Sequence, residues 1–324
     1  MTTHPPIDPE LAPVLAVVQQ HVSPTVTPGD IGALRASPAF AVLDEELTRD
    51  GTVELREFSA PGPAGAPEVP MLVLRPAGLA PEAPVIYYMH GGGMIIGNNR
   101  TGLGNVLDWA VDNGAVVVSV DYRLAPEHPD PAPIEDCYAG LLWLHRHTAE
   151  FGGDAGRVVV AGTSAGGGLA AGVALLARDR GGPGLLAQML MCPMLDDRLL
   201  TPSSRELEGE GIWDANSNET GWNALLGARR GGDDVSVYAA PARATDLAGL
   251  PTAFVDVGSV ETFRDEAVDY AARLVQAGVQ CELHLWPGGF HGFDAMAPQA
   301  ALSRTASATR AAWMRRLLGR PNGA

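Results

Sequence analysis

Apolar and polar positions follow one rhythm through residues 1–50 and another beyond them. In the first stretch the apolar positions recur at helical spacing. Asp8 can cap a helix with Pro9 at its first position and Leu11, Leu15 and Val18 along it. A second helix is expected over residues 30–47, interrupted near Ser37-Pro38. Residues 52–58 and 69–75 then read as two strands joined by the Pro/Gly-rich stretch 60–68. From there short apolar runs alternate with helical segments. Strands are expected at 85–89, 116–120, 158–160, 186–191, 252–257 and 282–286. Helices are expected around 103–111, at 134–148, 167–178 and 264–276, and from about 299 to 318. Near-continuous apolar strands alternating with helices predict a mainly parallel sheet covered on both faces.

Residues 196–232 break this alternation. The segment is polar but carries Trp213 and Trp222, and an insertion of this length in a compact domain is typically a functional lid. The expected organisation is therefore an α/β core in two parts, 51–195 and 233–324, with 1–50 before it and 196–232 inserted.

Composition narrows the function classes. A length of 324 residues, 46% of them hydrophobic and 19% charged, fits one large α/β core with insertions. The net charge of −16 argues against nucleic acid and anionic membrane surfaces as partners. All 22 basic residues are arginine, so a Schiff-base lysine, a Ser-Lys dyad and a P-loop are excluded together. Cys137, Cys192 and Cys281 lie far apart in apolar stretches and read as small buried hydrophobes, not as disulfides or a zinc site. No run approaches the ~18 apolar residues of a membrane span. The N-terminus has neither the basic start nor the apolar run of a signal peptide, so a cytoplasmic location is expected.

The chemistry centres on Gly162-Thr163-Ser164-Ala165-Gly166, directly after one strand and opening a helix. A G-x-S-x-G turn in that context thrusts the serine hydroxyl out at the end of a sheet, which marks Ser164 as a nucleophile. His90-Gly91-Gly92-Gly93 ends an earlier strand, where backbone N–H groups can meet a developing oxyanion. A general base must follow the serine. His284 lies within a strand and is read as structural, whereas His291 stands in a glycine-rich loop just past it and is read as the base. Candidate acids are Asp256, Glu261, Asp265 and Glu266. Asp256 falls inside a strand, Glu261 in the loop after it, and Asp265 and Glu266 open the next helix. The remaining histidines show no metal-ligand spacing, so neither metal nor organic cofactor is expected.

Taken in order, these motifs resemble the hormone-sensitive lipase family of carboxylesterases in its bacterial branch. The likeness rests on HGGG at 90–93, DYRLAPE at 121–127, GTSAGG at 162–167, FRDE at 263–266 and FHGF at 290–293. It implies an α/β-hydrolase fold: a mostly parallel eight-stranded sheet with a helical cap, here residues 1–50 and 196–232. It implies oxyanion donors at the N–H groups of Gly92, Gly93 and Ala165. Thr163 stands where many members carry Asp, which places the chain with the GTSAG subgroup. The family acid opens a D-x-x-R-D-E segment, and Glu261 occupies that place, thirty residues before His291. The implied triad is Ser164, His291 and Glu261, since glutamate also serves in such triads. Arg123 and Glu127 are expected to pair and brace the oxyanion region.

The implied activity is hydrolysis of short- to medium-chain carboxylic esters through an acyl-enzyme. Trp213 and Trp222 are candidate walls of the substrate pocket, with plain packing of the cap as the alternative. Amides, lactones and carbonates would use the same residues. The plant gibberellin receptors, which resemble this family, lack an intact triad, and the presence of His291 argues against a pure binding role. A small-molecule ester is the expected partner, and family habit suggests a homodimer.

Overall fold

A computed structural model describes residues 4–38 and 42–319. Its valine-rich runs become the strands β1 Val53–Ala60, β2 Val69–Pro76, β3 Ala83–Met89, β4 Val116–Val120, β5 Gly153–Thr163, β6 Ala187–Met191, β7 Thr252–Val260 and β8 Cys281–Phe290. They form one sheet in the order β1-β2-β4-β3-β5-β6-β7-β8. β2 runs antiparallel to both its neighbours, and every pair from β4 to β8 is parallel.

The helices are α1 Ala12–Val18, α2 Ile31–Arg35, α3 Asp44–Thr48, α4 Leu103–Asn113, α5 Ala132–His147, α6 Ala165–Asp179, α7 Ser203–Glu206, α8 Ala215–Leu226, α9 Arg264–Gln276, α10 Phe293–Met296 and α11 Ala301–Leu318. Strands β3, β4 and β6 are buried along their whole length because helices cover both faces. Val85, Tyr87, Val118, Val158 and Val160 pack on one side with Leu141, Leu169 and Val173. Ile86, Tyr88, Val117, Val159 and Phe254 pack on the other with Leu107, Trp109 and Trp313. Each such side chain withdrawn from water stabilises the fold by about 1.5–3 kcal/mol before chain entropy is counted.

At the N-terminus the first helix runs Ala12–Val18; in the turn before it the Asp8 carboxylate accepts from the Glu10 N–H at 2.8 Å and the Asp8 carbonyl from the Ala12 N–H at 2.9 Å. The helix expected over 30–47 with an interruption near Ser37-Pro38 is two short helices, α2 and α3, with the break between Arg35 and Asp44; residues 39–41 lie outside the described residues. α3 packs on β1 and α4, with Leu47 in the core beside Val53 and Leu72.

Residues near the N-terminus hydrogen-bond to the 196–232 insertion. Thr25 Oγ1 donates to Asp214 at 2.6 Å, Ser217 Oγ donates to the Pro24 carbonyl at 2.9 Å, and Gln19 Nε2 donates to the Gly211 carbonyl at 3.0 Å. Asp214 also caps α8 by accepting from the Ser217 N–H at 2.7 Å. Among the described residues no helix is long and apolar enough to cross a membrane.

Candidate active site

The order β5-β6-β7-β8 lines up the chain segments that leave the C-terminal ends of four parallel strands. Ser164 follows β5, Cys192 follows β6, Glu261 follows β7 and His291 follows β8. Open parallel sheets gather reactive groups at this edge.

Ser164 sits between β5 and α6 with φ 60° and ψ −121°, a strained conformation for a residue with a side chain. Its N–H donates to the Met191 carbonyl at 2.8 Å, and its own carbonyl accepts from Met194 and Gly168 at 3.0 and 3.1 Å. The sharp turn needs a glycine at 166, where a Cβ would lie 2.0 Å from the Met89 carbonyl oxygen. Those contacts aim the hydroxyl across the sheet edge at His291. His291 Nε2 lies 3.1 Å from Ser164 Oγ, and Nδ1 lies 3.1 Å from Glu261 Oε1. The other Glu261 oxygen accepts the Gly258 N–H at 2.9 Å. Glu261 is buried, and the Phe263 ring meets the imidazole edge-on at 5.3 Å.

The remaining acid candidates are engaged elsewhere. Asp256 is fully buried and accepts from Arg310 Nε at 2.6 Å and from Trp286 Nε1 at 3.0 Å, which ties α11 to β7 and β8. Asp265 accepts from Arg264 at 2.7 Å and from the Ser203 N–H at 2.8 Å. Glu266 accepts from the Leu195 N–H at 2.7 Å, and burial pushes its carboxyl well above the usual range.

The HGGG loop leaves β3, which neighbours β5, and so lies against the serine turn. A Cβ placed on Gly91 would stand 3.4 Å from Ser164 Cβ. Among the described residues, the N–H groups of Gly92, Gly93 and Ala165 donate to no protein acceptor. Gly93 has φ 61°, and a Cβ there would fall 2.2 Å from Trp213 Cη2, so only glycine fits beneath the indole. His90 is fully buried and stacked on Tyr122, with centroids 4.1 Å apart, and the Tyr122 hydroxyl donates to the His90 carbonyl at 2.7 Å. Burial lowers the His90 imidazole to about 4, so it stays neutral and braces the loop.

Two expectations are revised. Arg123 pairs with Asp136 on α5, through Nε at 2.8 Å and Nη2 at 2.7 Å, while Glu127 pairs with Arg35 on α2. The buried carboxylate of Asp136 also accepts the Arg123 N–H at 3.0 Å, which gives it three charge-assisted bonds that the exposed Glu127 does not offer. Trp222 is fully buried inside the core and has no surface to line a pocket, whereas Trp213 lies on the HGGG loop against Gly93.

A family model described as an α/β-hydrolase fold matches residues 86–295. Carboxylesterase NlhH of Mycobacterium tuberculosis is 38% identical over 292 residues, covering 88% of this chain and 89% of that protein. The structure of a bacterial heroin esterase superposes with a TM-score of 0.90 at 41% identity, covering 98% of this chain and 100% of the other. Esterase LipW of Mycobacterium marinum superposes at 0.85 with 34% identity, covering 99% of this chain and 100% of the other. The chain belongs to the α/β-hydrolase family, among its hormone-sensitive-lipase-like carboxylesterases, and is a serine ester hydrolase.

Proposed function

We propose that the protein hydrolyses short- to medium-chain carboxylic esters through a Ser164–His291–Glu261 triad and a covalent acyl-enzyme. The observation that carries this reading is the unbroken chain Ser164 Oγ, His291 and Glu261, with 3.1 Å at each link. His291 Nε2 takes the serine proton as Oγ attacks the ester carbonyl, and Glu261 stabilises the imidazolium. The free N–H groups of Gly92, Gly93 and Ala165 receive the developing oxyanion. The imidazolium then returns the proton to the leaving alcohol, and a water activated by the same base releases the acid.

Mixing the enzyme with excess p-nitrophenyl acetate should release a burst of nitrophenolate, one per active site, before the slower steady rate. Steady turnover with no burst at any acyl chain length, and no labelling of Ser164 by an organophosphonate, would remove the acyl-enzyme. The same residues serve amide and lactone cleavage, so an anilide and a lactone carrying the same acyl group belong in the same measurement.

We assign residues 4–38 and 196–232 to a cap over this site, with Trp213 as the wall that limits acyl length, and leave α3, which packs on β1 and α4, to the core. Trp213→Ala is expected to raise kcat/KM for longer relative to shorter acyl groups by about tenfold, as removal of one pocket wall does. Trp222→Ala should leave that ratio unchanged and lower stability by about 3–5 kcal/mol, the cost of a large core cavity. A p-nitrophenyl ester series on both variants, with a denaturant melt, separates the two. Equal ratios in both variants would return Trp213 to a packing role.

A further inference from the structure

Cys192 stands at the reactive edge of the sheet, one strand from Ser164 on one side and from Glu261 on the other. Its Sγ, a ring nitrogen of His291 and a carboxylate oxygen of Glu261 all lie within 4.8 Å of one another. The three are enclosed: Cys192 is 7% exposed, Glu261 2%, and the His291 side chain 13%. The backbone holds the cysteine in place, with φ 37° and its N–H donating to the Asp256 carbonyl at 2.7 Å.

Thiolate, imidazole and carboxylate together form a donor set suited to zinc-like cations, with three protein ligands and a fourth position for water. Tetrahedral bonds of about 2.0–2.3 Å put ligand atoms roughly 3.3–3.8 Å apart, so a side-chain shift of about 1 Å closes the set.

We propose that Cys192, Glu261 and His291 form an inhibitory site for a soft or borderline divalent cation, with Zn²⁺ as the probe. On binding, the thiol gives its proton to solvent and the sulfur bonds the metal, with no change of oxidation state. The net charge of −16 favours the approach of cations. Mg²⁺, which demands an oxygen octahedron, is excluded by the sulfur and nitrogen donors.

Inhibition, unlike binding, rests on the triad reading. A metal on Nε2 blocks the serine directly. A metal on Nδ1 replaces the Nδ1–Glu261 hydrogen bond with a shared ligation and leaves the proton on Nε2, which then cannot accept one from Ser164.

The test pairs a spectrum with a rate. Cd²⁺ or Co²⁺ added to the wild-type protein should produce a thiolate-to-metal charge-transfer band that saturates at one equivalent. Cys281→Ala should keep the band, and Cys192→Ala should lose it. Zn²⁺ should inhibit reversibly, with EDTA restoring the rate and Mg²⁺ without effect. Measured against each protein's own metal-free rate, the half-inhibiting Zn²⁺ concentration should rise at least ~tenfold in Cys192→Ala, as loss of a ligand demands. Cys192→Ser provides the same comparison if the alanine variant does not fold. No band in the wild type, or equal half-inhibiting concentrations with and without Cys192, overturns the site. A band without loss of rate keeps the cation site and overturns the roles given to Glu261 and His291. No band together with an inactive, folded Ser164→Ala does the reverse.

Discussion

Ser164→Ala is expected to lower kcat on p-nitrophenyl acetate by about 10⁶-fold, as removal of the nucleophile does in serine hydrolases. The fold should survive the change. The strained backbone at φ 60° is set by bonds from Ser164 to Met191, Met194 and Gly168, all of them main-chain. Alanine meets the same steric limits as serine there, so no strain is added. The lost hydroxyl leaves His291 Nε2 without its 3.1 Å partner, at a side chain still partly open to water. A melting temperature within a few degrees of wild type, with the nitrophenolate burst gone, is the expected pair of results. A folded variant that still turns over near the wild-type rate would place the nucleophile elsewhere and remove the proposed mechanism with it.

Much of this arrangement was legible in the chain because the chemistry constrains local sequence. Continuous apolar runs such as Val116–Val120 mark strands buried on two faces, and that strand begins and ends where its pattern does. The elbow at Ser164 was legible because a turn this sharp requires small residues around it. The strand ends were harder. β7 runs on to Val260 and β8 to Phe290, well past their apolar runs, through segments rich in glycine, serine and proline that weaken the alternation. Pairing between strands keeps them extended, with Val260 opposite Phe290. That last rung delivers Glu261 and His291 side by side, so the geometry of the proposed triad depends on a strand pairing that the local apolar pattern does not announce.

Two contacts were out of reach for a related reason. Arg123 has a carboxylate four residues away in its own motif, yet its partner is Asp136, brought back by the first turns of α5. Burial decides the choice, since Asp136 is 1% exposed and Glu127 faces solvent. Cys192 reads as a small hydrophobe, and its burial agrees. Its neighbours follow from strand order, and a run such as Ala187–Met191 says nothing about which strands flank it.

Glu261→Gln is expected to reduce kcat by roughly 10⁴-fold, the loss seen when the orienting carboxylate of a serine triad becomes an amide. The cause lies in the count of acceptors. Glu261 accepts at both oxygens, with His291 Nδ1 on one and the Gly258 N–H on the other. An amide has one acceptor oxygen, so glutamine can satisfy only one of them. If its oxygen faces the fixed Gly258 N–H, its NH₂ faces Nδ1 and drives the imidazole proton to Nε2, where it blocks proton transfer from Ser164. If it turns the other way, a buried backbone donor is left opposite a second donor, at a cost of about 1–3 kcal/mol. Asp265→Asn has a different expected outcome. Its carboxylate binds Arg264 and the Ser203 N–H, joining α9 to the start of α7 and leaving His291 untouched. Turnover should stay within about threefold of wild type, and stability should fall by about 1–2 kcal/mol, as for a weakened charge-assisted hydrogen bond. Steady-state kinetics beside thermal melts on both variants provide the comparison. If Asp265→Asn proves the more damaging to kcat while both proteins remain folded, the triad acid is Asp265 and the role given to Glu261 is lost.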